Sequence, residues 1–275
     1  MKKILGLLLI TSSLMAFSQS LPKAFLLEVS NGESLVVAVL DKQWKALDDD
    51  LPANQKQQLQ RATVKLLTDV GQIGTAKMQG SLEVGNCGVI SKPIAKVSRQ
   101  IYGLVAPWKI APRKIERLPL DNAVYQKVMA AELVARGIKA PVQMTQVLKA
   151  DLDGDQSDEV ILVAQRPALS ANYELVGMGY AMKAHDYALA IVRKLTSSGV
   201  KTFVLRQAWA KADFDVNSTT NLPPRFAQWV NGVADFDGDG KMEVLVNSIL
   251  YEGYGFEVFG WNNKKFEMRF EWGCI

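Results

Sequence analysis

Two short acidic stretches, each leading directly into an apolar segment, constrain this chain more than any other feature. The first reads ADLDGDQSDEVILVA over residues 150–164, and the second reads ADFDGDGKMEVLVNS over residues 234–248. Both contain Ala-Asp-x-Asp-Gly-Asp, three further residues, Glu, Val and an aliphatic run. Because carboxylates a few ångströms apart repel one another, we expect each stretch to be a loop whose charge is offset, followed by a β-strand.

The spacing of the acids predicts calcium loops. Ca²⁺ takes six to eight oxygen ligands at about 2.3–2.6 Å. Carboxylates at alternate positions of a tight loop can converge on one point, and glycine allows the positive φ of a sharp turn. The predicted ligands of the first loop are the side chains of Asp151, Asp153, Asp155 and Glu159 and the carbonyl of Ser157. Those of the second loop are the side chains of Asp235, Asp237, Asp239 and Glu243 and the carbonyl of Lys241.

The two loops differ at one glycine position. The second loop has both Gly238 and Gly240, whereas Gln156 replaces the second glycine in the first loop. If that residue needs a positive φ, glutamine costs on the order of 1 kcal/mol. We therefore rank the second loop above the first as a calcium site. The alternative is an acidic turn held by Asx hydrogen bonds without a metal ion, and the sequence leaves it open.

The loops resemble those of a known repeat family. A helix–loop–helix calcium hand needs a bidentate acid at its twelfth position, where this chain has Leu162 and Val246. The DxDGD pattern instead resembles the calcium loops of VCBS and FG-GAP repeats, found in integrin-like propellers and many exported bacterial proteins. More loosely, residues 113–275 resemble a family of exported bacterial proteins of unknown function, through DYALAIVRK, YEGYGFEVF and the terminal GC. This second resemblance implies no particular activity.

The remaining pattern predicts a mainly β protein (α+β) with one or two helices. The β-rich runs include YALAIV, apolar on both faces, and KFEMRFEW, in which Phe266, Met268, Phe270 and Trp272 are predicted to share one face. A helix is predicted over 121–136, with Asp121 or Asn122 as its N-cap. A complete propeller needs at least four blades. We therefore expect antiparallel β meanders containing two related strand–loop–strand units, and not a complete propeller.

Turn-forming residues and prolines along the chain predict its domain organisation. Asn31-Gly32 separates two β-favouring runs and indicates a hairpin. The segment APWKIAPRKIERLPL contains three prolines and is typical of a connector. We expect an N-terminal β-rich domain over 19–112. A C-terminal β-rich domain with the helix and both acidic loops is expected over 113–275.

The N-terminus predicts export. Lys2 and Lys3 precede a short apolar run that ends in small residues, which is the pattern of a signal peptide over 1–18. The expected location is periplasmic or extracellular, with no transmembrane segment after cleavage. In such an oxidising compartment Cys87 and Cys274 can pair, or they can remain two thiols.

Composition narrows the classes of function. The chain has 32 Lys and Arg residues against 28 Asp and Glu residues, a balance that argues against a nucleic-acid partner. A single histidine gives little support for a zinc site or a His-based triad. We favour a non-enzymatic, calcium-stabilised binding or structural module whose partner is a protein or glycan of the cell envelope. A secreted hydrolase and a carbohydrate-binding module with structural calcium remain the alternatives.

Overall fold

The computed structural model describes residues 23–30, 33–41, 43–47, 50–78, 81–85, 87–91, 100–166, 183–213, 227–249 and 253–274. Antiparallel strands dominate these ranges and two helices accompany them, which confirms the predicted mainly β class. None of the sheets within the described ranges closes into a barrel or a propeller. The predicted signal peptide and the Asn31-Gly32 turn lie outside the described residues.

The first sheet is built from the N-terminal part of the chain. The elements of this part are β1 (Ala24–Ser30), β2 (Glu33–Leu40), β3 (Trp44–Ala46), α1 (Ala53–Gln60), β4 (Thr63–Thr68), β5 (Gly71–Lys77), β6 (Leu82–Gly85), β7 (Gly88–Ser91) and β8 (Ile101–Val105). The strand order is β5-β4-β8-β1-β2-β7-β6, and β3 pairs with β2. The strands flanking the predicted hairpin turn, β1 and β2, pair antiparallel as expected.

Two further sheets form the C-terminal part. The second sheet contains β9 (Glu116–Arg117), β10 (Met144–Ala150), β11 (Glu159–Arg166), β12 (Tyr187–Thr196) and β13 (Gly199–Trp209), with α2 (Ala123–Ala135) between β9 and β10. The third contains β14 (Ala227–Ala234), β15 (Glu243–Ile249), β16 (Tyr254–Trp261) and β17 (Phe266–Cys274). The strand order is β13-β12-β11-β10-β9 in the second sheet and β14-β15-β16-β17 in the third. Each sheet is an antiparallel meander with an acidic loop between two adjacent strands, β10 and β11 or β14 and β15. The predicted pair of strand–loop–strand units is thus present.

The third sheet lies between the other two. Leu245 on β15 and Phe256 on β16 pack in one cluster with Leu26 and Tyr102 of the first sheet. The neighbouring residues of β15, such as Val244, pack in another cluster with residues of the second sheet. Because successive side chains of a strand point to opposite faces, the third sheet is covered on both sides. The apolar core therefore runs across the predicted 112/113 domain boundary, which itself stays a prediction.

One strand departs from the simple alternation that its sequence predicts. The pairing of β16 with β17 shifts between Val258 and Phe259, which leaves an extra residue on β17. Phe270 consequently packs towards the first sheet, whereas Phe266 packs towards the second, and Met268 is 48% exposed. The prediction of one shared face was wrong because this bulge rotates the strand.

The helix α2 forms where the sequence predicts it. The Asn122 side chain accepts hydrogen bonds from the Val124 and Tyr125 amides and caps the N-terminus, so Asn122 rather than Asp121 is the N-cap. Met129 and Leu133 bury the helix against the second sheet. No helix in the described ranges is long and apolar enough to cross a bilayer.

The two cysteines form a disulfide. Cys87 lies between β6 and β7, and Cys274 ends β17, with their Cα atoms 5.6 Å apart. This spacing is normal for a disulfide. The bond joins the first sheet to the third.

Candidate metal centre

The second acidic loop is folded around Asp235. Its carboxylate accepts hydrogen bonds from the Gly238 amide at 2.6 Å and from the Gly240 amide at 3.1 Å. Both glycines have positive φ, of 82° and 85°, as the sequence predicts. The short turn brings three carboxylates to one side of the loop, where one oxygen each of Asp235, Asp237 and Asp239 lies within 4.8 Å of the others.

This spacing suits a bound Ca²⁺. Ligands at about 2.3–2.6 Å from one ion lie at most about 5 Å from one another, and the three aspartate oxygens meet that limit. Glu243 begins β15 beside them and is 3% exposed. One of its oxygens, Oε2, accepts a hydrogen bond from the Phe236 amide at 2.8 Å. The residues present therefore fit a hard cation.

The electrostatics of this loop are unfavourable without a cation. Burial raises the pKa of Asp235 and of Asp237, and the charge of Asp239 raises both further. Burial, reinforced by the charge of Asp237, raises the pKa of Glu243 well above its ordinary value. Within the part of the chain that the structure describes, none of these carboxylates forms an ion pair. Negative charge is thus concentrated at the start of a central strand.

The first loop has the same backbone frame. Asp151 accepts hydrogen bonds from the Gly154 amide at 2.7 Å and from the Gln156 amide at 3.2 Å. Gln156 has a φ of 70°, so the strain anticipated for this position is present, at about 1 kcal/mol. Oxygens of Asp151, Asp153 and Glu159 lie within 4.8 Å of one another.

A lysine that the sequence reasoning missed lies among the carboxylates of the first loop. The Nζ of Lys194 on β12 is 2.7 Å from Glu159 Oε1, 3.0 Å from Asp153 Oδ1 and 2.9 Å from Asp155 Oδ2. Its side chain is only 4% exposed. Burial disfavours the charged form, but the hydrogen bonds to the three carboxylates outweigh it and raise the pKa of the ammonium. The sequence held one signal: alternation along β12 places Lys194 on the apolar face of Ala190 and Val192.

The two carbonyl ligands stay predictions. Ser157 donates its amide N–H to Asp155 Oδ1 at 2.8 Å. Lys241 donates its amide N–H to Asp239 Oδ1 at 2.7 Å. These hydrogen bonds place both residues in the turns beside the acids. They do not involve the carbonyl oxygens that would be the metal ligands.

The two loops lie side by side and share partners. The Met242 amide donates to the Leu152 carbonyl at 2.7 Å. Arg113 donates to that same carbonyl and to the Gly240 carbonyl, each at 2.9 Å. Trp108 donates its indole N–H to the Asp235 carbonyl at 2.9 Å. The proline-rich segment that the sequence marks as a connector therefore supports both loops.

A separate pocket of about 250 Å³ is lined by Tyr254 of the third sheet and by residues of the first sheet, namely Glu28, Ser30, Glu33, Ser34, Leu35 and Ile90. Burial raises the pKa of Glu28 to about 7, against hydrogen bonds to Gln100 and Tyr254 that lower it. Because folding raises this pKa, the titration of Glu28 also makes the stability of the chain depend on pH.

No family model, curated protein or solved structure matches this chain. The resemblance to VCBS and FG-GAP loops therefore stays a prediction, which rests on the loop sequences alone.

Proposed function

We propose that this protein is an exported binding or structural module whose fold is stabilised by calcium in the second acidic loop. The observation that carries the proposal is the convergence of Asp235, Asp237 and Asp239 beside the buried Glu243, with no ion pair to any described cation. A divalent ion at this point removes the repulsion between these groups. The Lys241 carbonyl would complete its ligands.

The position of the loop explains what the ion would do. Glu243 is the first residue of β15, an inner strand of the sheet that packs against both other sheets. An ion that holds the loop would fix where this strand begins. It would stabilise the folded state by mass action, because the unfolded chain has no preformed site.

The proposed location is consistent with this chemistry. The signal-like segment over 1–18 and the pairing of Cys87 with Cys274 both suit an oxidising, exported environment. Extracellular calcium modules commonly bind at about 10⁻⁴–10⁻³ M, so occupancy would follow the calcium of the medium. We favour binding to a protein or glycan of the cell envelope over catalysis, because an ion enclosed by loop ligands leaves little room for a substrate.

Thermal melts with calcium and with a chelator test the proposal. At about 10 mM Ca²⁺ and the affinity above, occupancy contributes about 1.4–2.7 kcal/mol. This corresponds to a rise in Tm of roughly 3–10 °C. The measurement is differential scanning calorimetry of the purified chain in EDTA and in CaCl₂, with MgCl₂ as the ionic-strength control. An identical Tm in EDTA and in CaCl₂ would contradict calcium stabilisation.

A further inference from the structure

We propose that the ammonium of Lys194 is a built-in cation that replaces calcium in the first loop, whereas Gly260, at the equivalent position of the third sheet, supplies no such cation to the second loop. The chain would then bind one calcium ion, not two. The part that concerns the second loop rests on the proposed function. The part that concerns Lys194 stands on its own contacts.

Strand register makes Lys194 and Gly260 equivalent. In the second sheet Val160 pairs with Arg193, so the preceding residue on β11, Glu159, faces Lys194. In the third sheet Val244 pairs with Phe259, so Glu243 in the same way faces Gly260. The glutamate that ends each acidic loop thus faces a lysine in one sheet and a glycine in the other.

The geometry at Gly260 agrees with this equivalence. A Cβ atom placed on Gly260 would lie 3.1 Å from Glu243 Cγ and 2.9 Å from Arg269 Nε. A side chain at this position would therefore point towards the glutamate, as the side chain of Lys194 does in the second sheet. Gly260 itself adds no charge here, and the Arg269 side chain of β17 that lies against it is 2.9 Å from Glu267 through its Nη1.

Lys194 is held where an ion would otherwise lie. Its ammonium contacts three carboxylates at 2.7–3.0 Å and lies 5.4 Å from the centre of the Trp261 ring. Trp261 comes from the third sheet, next to Gly260, so the neighbouring unit covers the lysine. A divalent ion bound to the same oxygens would meet a cation within a few ångströms, and their repulsion would oppose binding.

Among the described residues, no cation forms an ion pair with the acids of the second loop. Burial and the charge of Asp239 raise the pKa of Asp237, and the positive charge of Arg269 offsets this only in part. Its Nη1, however, is 2.9 Å from Glu267 Oε1. The Nζ of Lys241 donates to Asn263 Oδ1 at 3.0 Å. Neither of these cations forms an ion pair with the loop acids.

Counting calcium ions in four forms of the full chain tests the inference. The probe is CaCl₂ in isothermal titration calorimetry of chelator-treated protein. The forms are the wild type, Lys194→Met, Asp237→Asn and the double variant. Methionine retains the apolar stem beside Trp261 but removes the charge, and Lys201→Met, an exposed lysine on β13, is the matched control. We expect one ion in the wild type and in the control, two in Lys194→Met, none in Asp237→Asn and one in the double variant.

The numbers of bound ions distinguish the proposed function from the inference about Lys194. Two ions bound by the wild type would overturn the inference, and this result needs no variant. A Lys194→Met chain that folds but gains no ion would also overturn it. If the wild type binds none while Lys194→Met binds one, the proposed function fails and the inference about Lys194 stands.

A transfer variant keeps the test decisive if Lys194→Met does not fold. Gly260→Lys places the tethered ammonium in the second loop, and Gly260→Met adds a side chain of similar length without the charge, so that crowding of Glu243 and Arg269 is common to both variants. We expect Gly260→Lys to bind calcium at least tenfold more weakly than Gly260→Met and to show the smaller calcium-induced rise in Tm. Equal calcium responses in the two variants would contradict the equivalence of the positions.

Discussion

The two acidic loops start from nearly the same sequence and differ in how their charge is offset. In each loop the carboxylate of one aspartate accepts hydrogen bonds from two backbone amides, and each loop ends in a buried glutamate. In the first loop Lys194 supplies a cation from the neighbouring strand. In the second loop the carboxylates face one another without an ion pair to any described residue. On the proposals above, a lysine of the chain itself neutralises the first loop, whereas the second loop needs a free ion.

The largest effect is expected from removing the charge of Lys194, which neutralises the first loop. Lys194→Met leaves the buried Glu159 and the half-buried Asp153 without their partner, and breaking a buried pair typically costs about 3–5 kcal/mol. In EDTA we expect Tm to fall by roughly 6–20 °C, with part of the loss restored by calcium. Scanning calorimetry of Lys194→Met and of the control Lys201→Met measures the difference. A Tm within about 1 °C of the wild type in EDTA would show that Lys194 does not neutralise the loop.

A smaller effect on Tm, of opposite sign, is expected from a substitution in the second loop. The pKa of Asp237 is raised in the folded chain, so its ionised form destabilises the ion-free protein at neutral pH. Asp237→Asn should therefore raise Tm in EDTA at pH 7.5 by roughly 2–4 °C, for about 1 kcal/mol of removed repulsion. The same variant should lose the rise in Tm that calcium produces.

The pH dependence of this variant follows from the same shift. Below the ordinary aspartate pKa of about 4, Asp237 is protonated in both the folded and the unfolded chain, so variant and wild type should have the same Tm. The difference should appear as the pH rises through the raised pKa. The contribution of Glu28 is common to both chains and cancels. A variant that is less stable than the wild type in EDTA at every pH would argue against uncompensated charge.

The smallest effect concerns an exposed acid of the first loop. The hydrogen bond from Lys194 lowers the pKa of Asp155 despite some burial, and its side chain is 44% exposed. Solvent screening keeps such a contact below about 1 kcal/mol. Asp155→Asn should lower Tm by roughly 1–3 °C at pH 7, equally in EDTA and in calcium. The gap should begin to narrow as the pH falls below about 4, where the unfolded chain takes up the proton, and should close as the pH falls through the lowered pKa of folded Asp155. A deficit that appears only with calcium would instead make Asp155 a metal ligand.

The sequence predicted the local features of this fold well. The apolar runs gave the strands, and the cap at Asn122 and the left-handed Gly137 after α2 follow from local preferences. The turns of both loops follow from their Asp and Gly residues, because the hydrogen bonds that form them span only a few positions.

The arrangement between distant segments could not be read in this way. Lys194 lies 35 residues from Glu159, and only the pairing of β11 with β12 brings them together. Gly260, at the equivalent position of the third sheet, is uncharged, so no charge pattern in the sequence marks it. Arg113 reaches both loops because the connector runs beside them, and no local pattern marks that path. The bulge on β17 likewise depends on which strand lies next to it.

The disulfide between Cys87 and Cys274 closes 187 residues of the chain into a covalent ring. This ring contains both acidic loops and the whole of the second sheet. In the chain-entropy view, a closure of that length stabilises the fold by about 5 kcal/mol. A protease that cut the backbone once within the ring would release no fragment, since the bridge would still connect the two pieces. If the chain is exported, as we propose, a single cut by a degradative enzyme would therefore leave the two pieces connected until a reductant opened the bond.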